Sequence, residues 1–152
     1  MQSSASSRAA YRCRQEVSAM LHWSFGLAWI AFALAVALHV ADEAAHDFLS
    51  VYNANALKIR RRFHIPVPVF TLRSFLVTLS IAVGLLFLLS PLAFHGAHWI
   101  RGLAVFVAIL AGILNGCLHL GASALYRRWM PGVMTAPLLL AAGSWLLWSC
   151  CR

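Results

Sequence analysis

The chain has 152 residues, of which 62% are hydrophobic and only 11% are charged. A soluble domain carries about a quarter charged residues, so this composition excludes an ordinary soluble fold and indicates that lipid is the solvent. The net charge of +8 does not indicate nucleic-acid binding, because the basic residues lie between apolar blocks. Membrane topology and anionic headgroups explain that placement. We therefore expect membrane lipids as partners and no nucleic acid.

The N-terminal part of the chain is predicted to be a tail followed by a long first helix. Residues 1–18 are rich in Ser and Arg and should be disordered or interfacial. The apolar block over residues 21–40 is just long enough to cross ~30 Å of hydrocarbon, and it is too long for the apolar part of a cleaved signal peptide. No Gly or Pro follows this block before the basic run KIRRR. The helix is therefore expected to leave the bilayer and continue to about Leu57.

Three more spans are predicted at about residues 70–94, 100–126 and 133–150. Their connections are short, so these helices should be antiparallel neighbours. The GILNG stretch at 112–116 is a GxxxG, a pattern that favours close helix contact in lipid. The predicted fold class is all-α: one polytopic transmembrane helical bundle over residues 19–152, with about four spans and a first helix extended beyond the bilayer.

The distribution of basic residues predicts the orientation. Four spans place both termini on one side. Seven basic residues fall on the face that holds loops one and three, and five fall on the face that holds the termini. Because Lys and Arg favour the cytoplasmic side, we expect the termini outside a cytoplasmic-type (plasma) membrane.

Chemistry-bearing residues concentrate at the end of the first span. Three of the four acids lie in the segment HVADEAAHD, which begins at residue 39. At about 100° per residue, its polar side chains share one face of a helix. That stripe consists of His39, Asp42, Glu43 and His46, and Ser50 and Asn53 extend it if the helix persists.

This stripe predicts a bound divalent metal ion. Charged groups at membrane depth cost about 2.5–3.5 kcal/mol each, and a metal would neutralise the carboxylates while using the imidazoles as donors. In helical-bundle metal sites an acidic residue and a His are separated by three or four positions, as they are here. The alternative is that Asp42, Glu43, His46 and Asp47 lie just outside the hydrocarbon and form a solvated helix end.

The third span carries a second polar face. Asn115 and His119 stand at i, i+4, and Ser123 follows one step further. His39 lies about 18 residues into the first span and His119 about 19 into the third, and the two spans enter from the same side. The two groups should therefore reach the same depth, as a shared site requires. The alternative is a lone hydrogen bond from Asn115 to a neighbouring helix.

Together these residues resemble the HXXEE family of integral membrane proteins, named for a His-x-x-Glu-Glu signature. The signature here is His39-Val-Ala-Asp42-Glu43, with Asp in place of the first Glu. Asn115 and His119 match an Asn and a His that the family has in a later span. Tyr126 and the Pro131-Gly132 pair match residues that open its last span. The resemblance covers roughly residues 22–148 and implies an enzyme with a metal or acid/base site.

The leading hypothesis is a metal-dependent membrane enzyme acting on a lipid-like or membrane-partitioned substrate. The expected metal ligands are His39, Glu43, His46 and His119. The expected catalytic residues are Glu43, Asp42 as a ligand or as an orienter of ligands, and Asn115 as a positioner of substrate or water.

Two rival hypotheses remain. One is a small proton- or cation-coupled transporter or channel, which would need a homo-oligomer because one chain has a single acidic cluster. The other is a non-catalytic structural subunit. The histidines outside the two stripes are expected to be structural or solvated; they are His22, His64, His95 and His98.

Overall fold

The structure, a computed structural model, describes the backbone of residues 2–151 and, within the first helix, the side chains of residue 16 and of residues 19 onward. Its elements are α1 (Gln2–Ala45), α2 (Phe48–Phe63), α3 (Leu72–Leu88), α4 (Ser90–Phe94), α5 (His98–Val107), a π-helical segment (Ala108–Leu114), α6 (Asn115–Tyr126) and α7 (Ala136–Cys150). The predicted all-α class is confirmed. The predicted tail over residues 1–18 stays a prediction, because most of its side chains lie outside the described residues.

Within the described residues, three helical segments are long and apolar enough to cross a membrane. They are Ala19–Ala45, Leu72–Phe94 and His98–Tyr126. Helix α7 is apolar but has only 15 residues, because residues 131–135 form a turn where the sequence predicted the start of the last span. The prediction of a polytopic bundle with about four spans is confirmed.

Helix α1 forms the centre of the bundle and packs against α7, α3 and α4. The apolar core lies in the half of the bundle nearer the termini. Its largest fully buried side chains are Phe25, Trp29 and Phe32 of α1, Ile100 of α5, and Leu139 and Leu146 of α7. The indole of Trp29 donates a hydrogen bond to the carbonyl oxygen of Leu86 at 2.7 Å. This bond ties α1 to α3, which is otherwise largely exposed on the outside of the bundle.

The π-helical segment and α7 touch through two glycines. A Cβ added to Gly112 would lie 3.1 Å from the Cα of Gly143, and one added to Gly143 would lie 3.2 Å from the carbonyl oxygen of Ala108. A Cβ at Gly116 would likewise lie 3.1 Å from the carbonyl oxygen of Ala136. Only glycine allows backbones this close, and the contact predicted from the GxxxG is confirmed.

The predicted continuation of the first helix to about Leu57 is wrong. Helix α1 ends at Ala45, and α2 begins at Phe48 after a break at Asp47, whose φ of 53° is left-handed. Asp tolerates this conformation better than most residues. The break turns the ring of Phe48 towards the bundle, with centroids 5.7 Å from His119 and 5.8 Å from Phe75. Neither Gly nor Pro occurs at this break. The break is accompanied by the packing of Phe48 against the bundle.

Because of the break, Ser50 and Asn53 do not extend the polar stripe of α1. The hydroxyl of Ser50 donates to the carbonyl oxygen of Asp47 at 3.0 Å. The amide of Asn53 donates to the carbonyl oxygen of Phe70 at 2.8 Å and accepts from its N–H at 3.1 Å. Asn53 therefore holds the extended segment that returns from α2 to α3.

Candidate metal centre

His39 and Glu43 lie one turn apart on α1 and face the interior of the bundle. Residues at i and i+4 are neighbours on a helix surface, and here the Nε2 atom of His39 lies 3.6 Å from Oε1 of Glu43. Only 2% of His39 and 5% of Glu43 is exposed. The solvated helix end is therefore wrong for Glu43, which must find its partners inside the protein.

Helix α6 brings His119 to the same point. Its Nε2 atom lies 3.0 Å from Oε1 of Glu43, and the rings of His39 and His119 meet edge to face at 4.7 Å. The three side chains each offer one ligand atom, all within 4.8 Å of one another, so the group could hold a metal ion. Ligands about 2.0–2.1 Å from a tetrahedral zinc ion lie roughly 3.3 Å apart. The distances from Oε1 of Glu43 to the two Nε2 atoms, 3.6 and 3.0 Å, are close to that value.

The other ring nitrogen of each histidine has a fixed partner. Nδ1 of His119 lies 2.6 Å from the carbonyl oxygen of Pro131, an atom that can only accept a hydrogen bond. Nδ1 of His39 lies 2.9 Å from the hydroxyl of Thr135. That hydroxyl donates its single proton to Oδ2 of Asp42 at 2.8 Å and is thus an acceptor towards His39. We therefore assign both ring protons to Nδ1, which leaves the Nε2 lone pairs directed at the centre, as in metal-binding histidines.

Asp42 reaches this centre through Thr135. Its Oδ2 atom accepts from both the hydroxyl and the backbone N–H of Thr135, at 2.8 and 3.2 Å, and its side chain is only 6% exposed. A chain of hydrogen bonds therefore runs from Asp42 through the Thr135 hydroxyl to His39. In the described part of the chain, the ion pairs of Asp42 and Glu43 are made with histidines, with no Lys or Arg involved. A divalent cation would balance the two carboxylates.

Asn115 approaches His39 from α6. Its Nδ2 atom lies 3.1 Å from Nε2 of His39 and donates to the lone pair that a metal would use. A metal bound to His39 would displace this hydrogen bond and free the amide. The freed amide could then donate to an oxygen atom of a substrate or water molecule at the centre.

The turn between α6 and α7 fits tightly over the two imidazoles. Gly132 has a φ of +83°, and a Cβ there would lie 2.7 Å from Cε1 and Nδ1 of His119 and 3.0 Å from Cε1 of His39. Ser123 holds the turn by accepting the N–H of Met130 at 3.0 Å. The Pro-Gly pair thus supplies a carbonyl partner for one imidazole and the space that both require.

His46 lies outside the group of three that could hold a metal. Its side chain is 61% exposed, and its Nδ1 atom lies 2.8 Å from Oδ1 of Asp42 and 2.9 Å from the carbonyl oxygen of Asp42. Because α1 ends at Ala45, His46 stands in the break and does not face inward. Asp47 is also exposed, so the solvated helix end describes these two residues. Of the other histidines, His22 is partly buried. Three are exposed: His64, His95 and His98.

Two residues near the centre have no role in the sequence-based hypothesis. Thr135 could have been suspected because it is a polar residue immediately before an apolar helix. Phe48 gives no signal, since its place depends on the break at Asp47.

Two clefts border the centre, and Phe48 lines both. One, of about 410 Å³, lies between the end of α1, α2 and the start of α3, and Glu43 lines it together with polar residues such as Asn53. The other, of about 460 Å³, lies between α2 and α6, and Asn115 and His119 line it. The group is therefore reachable from both sides of the Phe48 ring.

The fold and this geometry define a polytopic helical membrane protein with a buried group of two histidines and a glutamate. The family described as "Protein of unknown function with HXXEE motif" matches residues 18–146, and the chain belongs to it. None of the curated proteins and none of the solved structures compared matches the chain. In this chain the motif spans His39 to Glu43: its first and last residues line the centre, and its middle acid, Asp42, binds Thr135.

Proposed function

We propose that the protein is a metal-dependent membrane enzyme acting on a lipid-like substrate. One observation carries the proposal: two buried imidazoles have their Nδ1 atoms fixed by Pro131 and Thr135 while their Nε2 atoms converge on Glu43. Two histidines and a carboxylate are a ligand set that leaves coordination positions open in catalytic zinc and non-haem iron sites. A purely structural zinc site would instead be closed by a fourth protein ligand.

The residues of the chain have distinct roles in this proposal. A bound divalent ion supplies Lewis acidity towards an oxygen atom in its open positions. His39, Glu43 and His119 hold the ion, and the second carboxylate oxygen of Glu43 can accept a proton from water that enters the adjoining cleft. Asp42 keeps His39 in the required orientation through Thr135.

The lipid-like substrate is proposed from the depth of the centre. His39 lies six residues before the end of α1 and His119 seven before the end of α6, which places them about 10 Å inside the helix ends. Both residues lie in candidate membrane spans, His39 in Ala19–Ala45 and His119 in His98–Tyr126, which ends with α6. A substrate must therefore reach into the apolar part of the protein, as an amphipathic molecule can.

Metal analysis of the detergent-purified protein tests the centre. We expect one metal ion per chain, lost in both His39→Ala and His119→Ala and kept in the control His98→Ala, which removes an exposed histidine. Lipid extracts incubated with the loaded protein should show a product by mass spectrometry that is missing with His119→Ala. A wild-type protein that stays metal-free after exposure to zinc, iron and manganese would overturn the proposal.

A proton or cation path is the second candidate, because Glu43 and His119 at 3.0 Å could share a proton without any metal. Proteoliposomes distinguish the two functions. Ion flux that needs Glu43 but no bound metal favours transport, whereas metal-dependent lipid conversion without flux favours the enzyme.

We further propose that the termini lie outside a plasma-type membrane, so that the centre lies near the cytoplasmic face. The seven basic residues assigned to loops one and three support this orientation. Cys151 is exposed at the end of the chain, and a membrane-impermeant thiol reagent should label it from outside intact cells. Labelling only after the cells are opened would reverse the orientation.

A further inference from the structure

The cleft between α2 and α6 is a groove that leads from the metal centre to the ends of these helices. Its walls run from Phe48 to Ile59 in α2 and from Asn115 to Tyr126 in α6. At about 1.5 Å per residue each wall is roughly 16 Å long, close to half of the ~30 Å hydrocarbon core. The groove is therefore long enough for one alkyl chain of the length that fills a leaflet, whether or not α2 itself lies in the bilayer. The side chains between its ends are largely apolar and include Val51, Tyr52, Leu118 and Ala122.

The outer end of the groove is positively charged. Arg62 follows Ile59 by three residues, on the same face of α2 that lines the groove, and it is exposed. The guanidinium of Arg128 lies 5.9 Å from the ring centroid of Tyr126, the last groove residue of α6. No acid follows Asp47 in the sequence, and no carboxylate pairs with either arginine in the part of the chain that the structure describes. These arginines are therefore free to bind an anion from outside the protein.

We propose that the groove binds a long-chain amphiphile with a phosphate-like anionic headgroup at Arg62 and Arg128. Its alkyl chain lies between α2 and α6, and the chain end remote from the headgroup reaches His119. The opposite orientation would place the anion beside the buried carboxylate of Glu43, or beside a centre whose two carboxylates already balance a divalent ion, and would leave the arginines unpaired. This inference goes beyond the proposed function, because it says where an amphiphile binds and not which of its bonds reacts, and the groove itself does not depend on metal.

Photolabelling tests the orientation of the amphiphile. The full chain, in nanodiscs of neutral lipid, is exposed to dodecyl phosphate with a diazirine either at the chain end or next to the phosphate. We expect the first probe to label α6 near Leu118 and the second to label near Tyr126 or Ile59. Equal labelling of the groove and of the exposed α3 residues Val77 and Ile81 would overturn the proposal.

Matched variants on α6 test the groove itself. Ala122→Trp fills the groove and should abolish labelling near Leu118. Ala124→Trp adds the same bulk to the same helix at an exposed position that does not line the groove, and should leave labelling unchanged. Equal labelling of both variants would contradict the assignment.

The headgroup is tested with Arg62→Gln and Arg128→Gln. Each should weaken labelling by the phosphate probe about fivefold, the effect of one basic residue near an anionic headgroup, and should not change labelling by the matching dodecanol probe. If inorganic phosphate abolishes labelling and the length of the probe's alkyl chain has no effect, the site binds free phosphate. That result would contradict the proposal. Equal labelling by the alcohol and the phosphate would contradict it too.

The metal-stripped protein separates this inference from the proposed function. If the groove is labelled in a protein that never acquires stoichiometric metal, the groove is supported and the enzyme is rejected. A stoichiometric metal centre without groove labelling rejects the groove alone.

Discussion

The Nε2 atom of His119 and the Oε1 atom of Glu43 lie 3.0 Å apart inside the bundle. With the His119 proton placed on Nδ1, towards the carbonyl oxygen of Pro131, both atoms present lone pairs to each other. Two acceptors at this distance repel unless a positive charge lies between them. A proton can provide that charge, and so can a metal ion that also binds His39.

Glu43→Gln should separate the metal requirement from the folding requirement. The amide can donate to His119 Nε2, so the metal-free variant should remain folded. It removes the negative charge on the metal, so affinity should fall by more than the 10–100-fold seen for outer partners of metal ligands. Metal content and thermal unfolding in detergent measure the two effects. Glu16→Gln, at an exposed position of the same helix, is the control, and full metal occupancy in Glu43→Gln would contradict the assignment.

Acidification should release the metal. Imidazole binds metal only in its neutral form, so protons compete with the metal at both His39 and His119. Affinity should therefore rise with pH through the range in which histidines lose their protons and fall below it. Metal retained after dialysis at a series of pH values measures this, with His98→Ala as a control that should give the same curve. A pH-independent occupancy would show that the histidines are not ligands.

Thr135→Val should weaken the centre through the orientation of His39. The valine keeps the shape of threonine but removes the hydroxyl between Asp42 and His39, so the buried Nδ1–H loses its acceptor. We expect a 10–100-fold loss of metal affinity and a fall of about 1–3 kcal/mol in the free energy of unfolding.

Two further substitutions test this role of Thr135. Thr135→Ser should restore most of the metal affinity because it restores the hydroxyl. Thr78→Val, on the exposed face of α3, should change neither quantity. If serine and valine behave alike at position 135, the hydroxyl does not orient His39.

Gly132→Ala should disturb the imidazoles directly. The φ of +83° and the 2.7 Å approach to His119 leave no room for a methyl group, so we expect a loss of about 1–3 kcal/mol and reduced metal affinity. Gly121→Ala is the matched control. A Cβ there meets nothing within 4 Å, so it should stabilise α6 by about 0.5–1 kcal/mol. Unfolding in detergent and metal content together check the pair, and equal effects would contradict the tight fit.

Those parts of the centre that depend on local helix geometry could be predicted from the sequence. His39 and Glu43 stand at i, i+4, and a continuous helix places them side by side whatever surrounds it. The proximity of His119 to His39 could be predicted from the number of residues between each histidine and the start of its span. Two straight helices that enter from the same membrane face place residues with equal numbers at the same depth. The membrane class followed from composition alone.

The parts that depend on tertiary packing could not be predicted. The end of α1 at Ala45 has no Gly or Pro to announce it, so His46 was expected on the inward face and instead stands exposed in the break. The pairing of Thr135 with Asp42 joins segments far apart in the chain, and no periodicity within either segment indicates it. The role of Phe48 follows only from the break.

The apolar core and the polar centre occupy different halves of the bundle. The fully buried aromatic residues of α1 end at Phe32, whereas the centre begins at His39 and takes its other ligand from α6 beyond the π-helical segment. Substitutions of the ligands therefore leave the apolar core untouched. Such a division allows a lineage to change the ligands, and with them the reaction, while the membrane scaffold is inherited unaltered.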